Sequence, residues 1–202
     1  MYARVTIGYS QPGKMDEITQ YIRDFIVPAA KQQPGFKGGL TLRDDDSNKG
    51  IAITLWETEA EMLAGETTGG YYREHLAKVA HLFASVPVRE AYEVGIQEMQ
   101  QDGPRTSARV LTATAQLGKM DEGMQIVRDS VLPTARQQPG FKGGLWLLDR
   151  STSKIIAITL WETEADLKAG ETSGYYQAQI AKVAHVLATQ VVREVYEVSV
   201  QA

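Results

Sequence analysis

Ile51-Ala-Ile-Thr-Leu-Trp56-Glu-Thr-Glu-Ala60 occurs twice, letter for letter, returning as Ile156 to Ala165. The offset is 156 − 51 = 105 residues, about half of the 202-residue chain. A second run, Gln32-Gln-Pro-Gly-Phe-Lys-Gly-Gly-Leu40, returns at Gln137 to Leu145 with the same offset. The chain is one unit written twice, and questions of fold and function become questions about that unit and its copy. The quoted stretch carries apolar residues on both alternating faces. Ile51, Ile53 and Leu55 form one, and Ala52, Thr54 and Trp56 the other. A strand of this kind is central, with something packed on each side.

Working outward, Ala3 to Ser10 alternates as a strand. Val5, Ile7 and Tyr9 lie on an apolar face, and Arg4, Thr6 and Gly8 on the other. From Met15 the period becomes helical, with Ile18, Ile22, Phe25 and Ile26 on one side and Asp16 and Glu17 in the dipole-favoured first turn. Pro28, repeated as Pro133, should bend this helix, and Pro34-Gly35 should stop it. Phe36 to Arg43 is a second strand with a bulge at Gly38-Gly39, and Gly50 to Glu57 the third. Thr58, with Glu61 three residues on, caps a short helical turn. A second helix is expected over Tyr71 to Val86, with Tyr72, Leu76, Val79 and Phe83 on its stripe, and a fourth strand over Val88 to Ile96. The order then restarts at Ala108. Copy two is one residue shorter, so the offset is 104 from Gly174 onward.

The order β-α-β-β-α-β gives a four-stranded antiparallel sheet with both helices on one face. The expected fold class is α+β, with two ferredoxin-like units paired as an internal pseudo-dimer. The expected division is a first domain at residues 1–99, a linker at 100–106 and a second domain at 107–202.

Composition sets the outer bounds. Hydrophobic residues make up 43% and charged residues 23%, as in ordinary globular proteins. With no cysteine there is no disulfide, thiol nucleophile or thiolate metal site, and three histidines make any metal site weak. No apolar run reaches about 18 residues and no signal-peptide core opens the chain, so a cytoplasmic protein without membrane attachment is expected. The net charge is −4, carried by the first half with 10 basic and 14 acidic residues against 11 and 11 in the second. No basic stripe appears, which argues against nucleic acid.

The helical proline followed by Pro34-Gly35-Phe36, the strand ending in Trp56-Glu-Thr-Glu59 and the helix after it resemble the antibiotic biosynthesis monooxygenase (ABM) domains of the dimeric α+β-barrel superfamily, once per copy. The resemblance implies a pocket between sheet and helices in each unit. It implies activities that range from cofactor-free oxygenation of quinols or polycyclic phenols to haem degradation. Haem-degrading members place a histidine on the second helix, an asparagine on the first strand and an extra tryptophan before that helix. Here His75 stands at the first place, Gln179 at its equivalent, no asparagine lies on either first strand, and glycines (Gly65, Gly170) stand near the tryptophan place.

Several residues are candidates for chemistry, each with a plainer alternative. Trp56 and Trp161 could stack on a flat substrate or simply fill a core. Tyr72 and Tyr176 could orient a substrate hydroxyl or pack. His75 is the one helix histidine without a counterpart. Glu90 and Glu194 share a strand face with apolar neighbours and could act as bases, or sit at a wet strand end. His81 and His185 fall about 180° from Tyr72 and Tyr176 on the helix and should face solvent or a neighbouring chain. The stretch Gly65 to Gly70, before a helix, suits an anion or a loop over a pocket.

The copies differ where they should line a pocket. Val5, Ile7 and Tyr9 become Val110, Thr112 and Thr114; Ile18 becomes Gly123; Phe25 becomes Ser130; Thr41 becomes Trp146. Copy two therefore has either a roomier, more polar cavity or different packing. The function expected is that of an ABM-like small-molecule protein, a cofactor-independent monooxygenase on an aromatic or quinol substrate. The alternatives are a non-catalytic ligand-binding or assembly protein and, third, haem binding or degradation. The expected partner is a small apolar or aromatic molecule, with no cofactor, metal, nucleic acid or membrane, and with room for further homo-oligomerisation.

Overall fold

The computed structural model describes residues 1–65, 70–99 and 106–202. The first repeat runs β1 (Tyr2–Tyr9), α1 (Met15–Tyr21), α2 (Val27–Lys31), β2 (Phe36–Asp44), β3 (Lys49–Trp56), α3 (Glu59–Ala64), α4 (Tyr71–Val79) and β4 (Val88–Met99). The second runs β5 (Ser107–Thr114), α5 (Met120–Ile126), α6 (Leu132–Ala135), β6 (Phe141–Asp149), β7 (Lys154–Trp161), α7 (Glu164–Thr172), α8 (Tyr175–Val183) and β8 (Val192–Gln201). This is the expected α+β order, β-α-β-β-α-β twice. The strands pair in the order β1-β3-β2 in the first repeat and β5-β7-β6 in the second, each sheet continued by the end of the other repeat's last strand, β8 beside β2 and β4 beside β6.

Each compact unit borrows a strand end from the other repeat. One unit comprises Met1–Tyr92 with Glu197–Ala202, the other Glu93–Tyr196. In the first, β2 pairs with the end of β8, Leu40 opposite Gln201 and Thr41 opposite Val200. Gly39 and Ala202 exchange two backbone hydrogen bonds of 2.9 Å. In the second, β6 pairs with the end of β4, Leu145 opposite Gln97 and Trp146 opposite Ile96. The structural units thus divide the chain inside β4 and β8. Of the expected linker at 100–106, residues 100–105 lie outside the described residues.

Local chemistry explains the elements. Proline in a helix interior lacks the N–H that would reach back four residues. Ahead of Pro28 the helix widens into a π turn over Ile22–Ile26, with the Val27 amide bonded to the Ile22 carbonyl, and then resumes as α2. Ahead of Pro133 the same widening occurs at Val127–Val131. π turns of this kind absorb a break without ending the helix. Gly35 and Gly140 close these helices at φ +74° and +73°, a conformation that suits glycine. The strand register shifts between Phe36 and Gly38, with Gly38 at φ +145°, which is the expected bulge. Thr58 accepts from the Glu61 amide while the Glu61 carboxylate accepts from the Thr58 amide, a complete capping box.

The second helix is shorter than its periodicity suggests. α4 ends at Val79, a 3-10 turn covers Ala80–Leu82, and Phe83 is extended. The end of β1 captures the chain there: Ser10 bridges Phe83, and the Ala84 amide donates to the Tyr9 carbonyl at 2.8 Å. β3 is buried as its two apolar faces require, with Ile51, Ile53, Leu55 and Trp56 all at 5% exposure or less. In the second unit, Trp146, Trp161, Phe141, Leu148 and Leu167 form the buried core with Met120 and Met124. Burying each large side chain contributes roughly 1.5–3 kcal/mol.

Candidate functional site

Each unit holds a cavity of about 110 Å³ between its sheet and its helices. In the first unit the sheet supplies Arg4, Thr6, Gly8, Ala52, Thr54 and Trp56, and the helices supply Ile18, Ile22, Tyr72, Leu76 and Val79. These sheet residues share one face because β1 and β3 pair with Arg4 opposite Thr54, Thr6 opposite Ala52 and Gly8 opposite Gly50. The cavity therefore takes the polar face of β1, not the Val5, Ile7 and Tyr9 face. The small side chains of that polar face leave the space open. In the second unit Arg109, Leu111, Ala113, Ala157 and Thr159 stand on the equivalent face.

A buried arginine is the chief polar feature of each cavity. Arg4 is 7% exposed and Arg109 3%. Arg109 donates from Nη2 to the Leu167 carbonyl at 2.9 Å and from Nε to Glu171 Oε1 at 3.2 Å. Its guanidinium carbon lies 4.9 Å from the Tyr176 ring centroid and 5.3 Å from that of Trp161. Burial pushes its pKa down, while Glu171 pulls it back up. Glu171 also accepts from Arg193 Nε at 2.7 Å, so one carboxylate is shared by two guanidinium groups. The adjoining Tyr175 hydroxyl is pushed up to about 12 by burial, with Arg109 opposing the shift. In the first unit the Arg89 guanidinium lies 3.5 Å from the centroid of the Tyr72 ring, a close cation–π contact. Glu66, at the place of Glu171 in the repeat, lies outside the described residues.

The residues singled out from sequence fall in different places. Trp56 lines the first cavity, donates from Nε1 to Thr54 Oγ1 at 2.9 Å, and meets Phe36 and Tyr71 edge-on or tilted. Trp161 makes the matching bond to Thr159 but lies in the core beside Phe141; Trp146 lines the second cavity instead. Tyr72 and Tyr176 line their cavities, with Tyr71 and Tyr175 beside them. His75 packs away from the first cavity, its Nδ1 3.0 Å from the Tyr21 hydroxyl, and burial lowers its pKa. Gln179 lines the second cavity and accepts from Lys182 Nζ at 2.8 Å. Glu90 is turned from the first cavity by strand alternation, which brings Arg89 in, and it accepts from the Tyr92 hydroxyl at 2.6 Å. Glu194 is likewise absent from the cavity lining, half-buried on β8. His81 and His185 are exposed, His185 lying 3.3 Å from Glu122. Of the stretch from Gly65 to Gly70, residues 66–69 lie outside the described residues.

Sequence reasoning missed Arg4 and Arg109, and with them Arg89 and Arg193. A signal was present. A single arginine recurs at the same place in both first strands, amid small residues. The second cavity proves to be packed differently and not roomier: the volume lost at Ile18 is offset by Trp146, 4% exposed where Thr41 stands in copy one, and by Leu111 and Ala113 in place of Thr6 and Gly8.

Among the described residues, no three His, Asp or Glu side chains gather to hold a metal ion. Among them, too, no helix is long and apolar enough to cross a membrane.

No family model matches the sequence. An uncharacterised protein of Mycobacterium tuberculosis strain H37Rv is 26% identical over 166 residues, covering 81% of this chain and 72% of its own. Among solved structures, a proposed monooxygenase from Lactobacillus acidophilus superposes with a TM-score of 0.75 at 9% identity, covering 100% of this chain and 95% of that one. An anthrone oxidase-like protein superposes at 0.72 with 14% identity, over 100% and 92%. A ferredoxin-fold protein from Listeria monocytogenes, related to antibiotic biosynthesis monooxygenases, superposes at 0.56 with 10% identity, over 97% and 94%. The chain therefore has the fold of the ABM-like proteins, a ferredoxin-like unit written twice in tandem.

Proposed function

We propose that each unit binds a small, flat, largely apolar molecule bearing one ionisable oxygen, and that dioxygen oxidises it there without a cofactor. The observation that carries this reading is the buried arginine in each apolar cavity, Arg4 and Arg109, beside tyrosine and tryptophan rings. A guanidinium held in a poorly hydrated site stabilises an enolate or phenolate far more than water would. Such an anion can give electrons to dioxygen directly. In the balanced reaction, a phenol and dioxygen give a quinone and water: the ring C–H para to the hydroxyl becomes a carbonyl, one oxygen atom enters the product, and the other leaves as water with the C–H and O–H hydrogens. The substrate supplies all the electrons, so no flavin or nicotinamide is required. The likeness to a proposed monooxygenase and an anthrone oxidase-like protein supports the reaction class.

The size of the cavities favours single-ring or compact fused-ring molecules. An engineered apolar cavity of about 150 Å³ holds benzene, and these are of the same order. Haem-sized ligands need several hundred Å³, so titration with haem should leave its Soret band unshifted.

The test is oxygen uptake with a panel of naphthols and simple phenols, followed by product analysis. Uptake is expected with at least one member, and it should fall about 100-fold or more in the Arg4→Met, Arg109→Met double variant. Binding without uptake across the panel would leave a ligand-binding protein. That second reading is favoured by one feature: among the described residues no Asp, Glu or His side chain lines either cavity. Among the described residues the ionisation of a bound substrate would then rest on the arginine.

A further inference from the structure

The two cavities are equal in volume but extend in different directions, and one repeat position accounts for much of the difference. In the first unit the lining runs along β2 past Thr41 and Gly39 to Phe36, and on to Val200 and Ala202 at the end of β8. In the second unit it stops at Trp146. Among the described residues Gly144, Phe141 and β4 contribute nothing to its lining, while at the other end Lys119 joins and Gly123 stands where Ile18 lines the first cavity. The space over the strand glycine shows why. A methyl group placed on Gly144 would fall 2.7 Å from Trp146 Cη2, inside van der Waals contact. On Gly39 the nearest side-chain atom would be Phe36 Cζ at 3.8 Å. The Trp146 ring lies over Gly144, and the same space over Gly39 belongs to the cavity.

We infer that the two units select ligands of different length, with Thr41 and Trp146 as the determining pair: the first unit accepts a two-ring aromatic acid or phenol and the second only a single ring. This rests on the ligand-binding reading above. Thr41 leaves an arm open along β2; Trp146 closes it with an indole that is itself held by core packing. A chain with two non-equivalent sites could serve two substrates, or a substrate and its smaller relative.

Isothermal titration of the full chain with benzoate and 2-naphthoate tests the inference. Wild type should bind two benzoates and one 2-naphthoate per chain. Trp146→Thr, or the milder Trp146→Leu, should raise the 2-naphthoate stoichiometry to two. Thr41→Trp should abolish the remaining site or weaken it by about tenfold or more. Far-ultraviolet circular dichroism and thermal midpoints identify any variant that fails to fold. Two 2-naphthoates per wild-type chain, or a stoichiometry that neither substitution moves while benzoate still binds, would overturn the inference alone. No binding of either probe to wild type would overturn the ligand-binding reading and this inference together.

Discussion

Arg109 and Glu171 form a pair of unequal exposure, the arginine 3% and the carboxylate 22% accessible, joined at 3.2 Å. Glu171 retains a second charged partner in Arg193, whereas Arg109 keeps the Leu167 carbonyl and the Tyr176 and Trp161 rings, none of them charged. The two residues should therefore respond differently to removal. Glu171→Ala leaves a buried guanidinium without a counter-charge and is expected to cost about 3–5 kcal/mol. Arg109→Met replaces that charge with an apolar side chain of similar length and leaves Glu171 on Arg193, and it should cost about 1 kcal/mol or less. Urea denaturation of both variants checks the order; equal losses would contradict it.

Tyr175 should be among the last tyrosines to ionise. Its hydroxyl is pushed up to about 12 by burial beside the Trp161 ring, against about 10 in an unfolded chain. Between these values the unfolded state has released a proton that the folded state still holds. Stability contributed by this group is thus full below pH 10 and declines as pH rises toward 12. Absorbance titration at the tyrosinate band, comparing wild type with Tyr175→Phe, should show the variant losing one high-pH step. Its stability should also fall less steeply above pH 10.

Gly144 and Gly39 hold the same place in the repeat but should not tolerate alanine equally. Gly144→Ala meets the Trp146 ring, and overpacking of this kind costs about 1–3 kcal/mol. Gly39→Ala meets the Ile53 carbonyl at 3.2 Å, Phe36 at 3.8 Å and Thr54 at 3.9 Å, and should cost less. Combining Gly144→Ala with Trp146→Leu should recover most of the loss. A double-mutant cycle without coupling would show that the ring does not occupy that space.

Because β2 pairs with the end of β8, deleting residues 198–202 should loosen the first unit and spare the second. Hydrogen exchange is the direct measurement. Gly39, whose amide donates to the Ala202 carbonyl, should lose protection together with its β2 neighbours, while β6 amides keep theirs. Equal loss in both repeats would count against the division of the chain inside β4 and β8.

The sequence by itself determined the repeat, the element order, the proline-bearing helices, the bulge at Gly38 and the Thr58 cap. All of these rest on short-range patterns: period, turn residues and backbone chemistry within a few residues. The stripe Tyr72, Leu76, Val79 and Phe83 was legible for the same reason, and all four line the first cavity. Tertiary structure decided the rest. Alternation along β1 defines two faces but not which one meets the helices; pairing with β3 brought Arg4, Thr6 and Gly8 inward. Glu90 and Arg89 are neighbours in sequence, and only the twist and register of β4 put the arginine at the Tyr72 ring and the carboxylate at Tyr92. Trp161 looked equivalent to Trp56, yet Trp146 took its place at the cavity. A side chain occupies whatever space its neighbours leave, and that space is set by residues far apart in the chain.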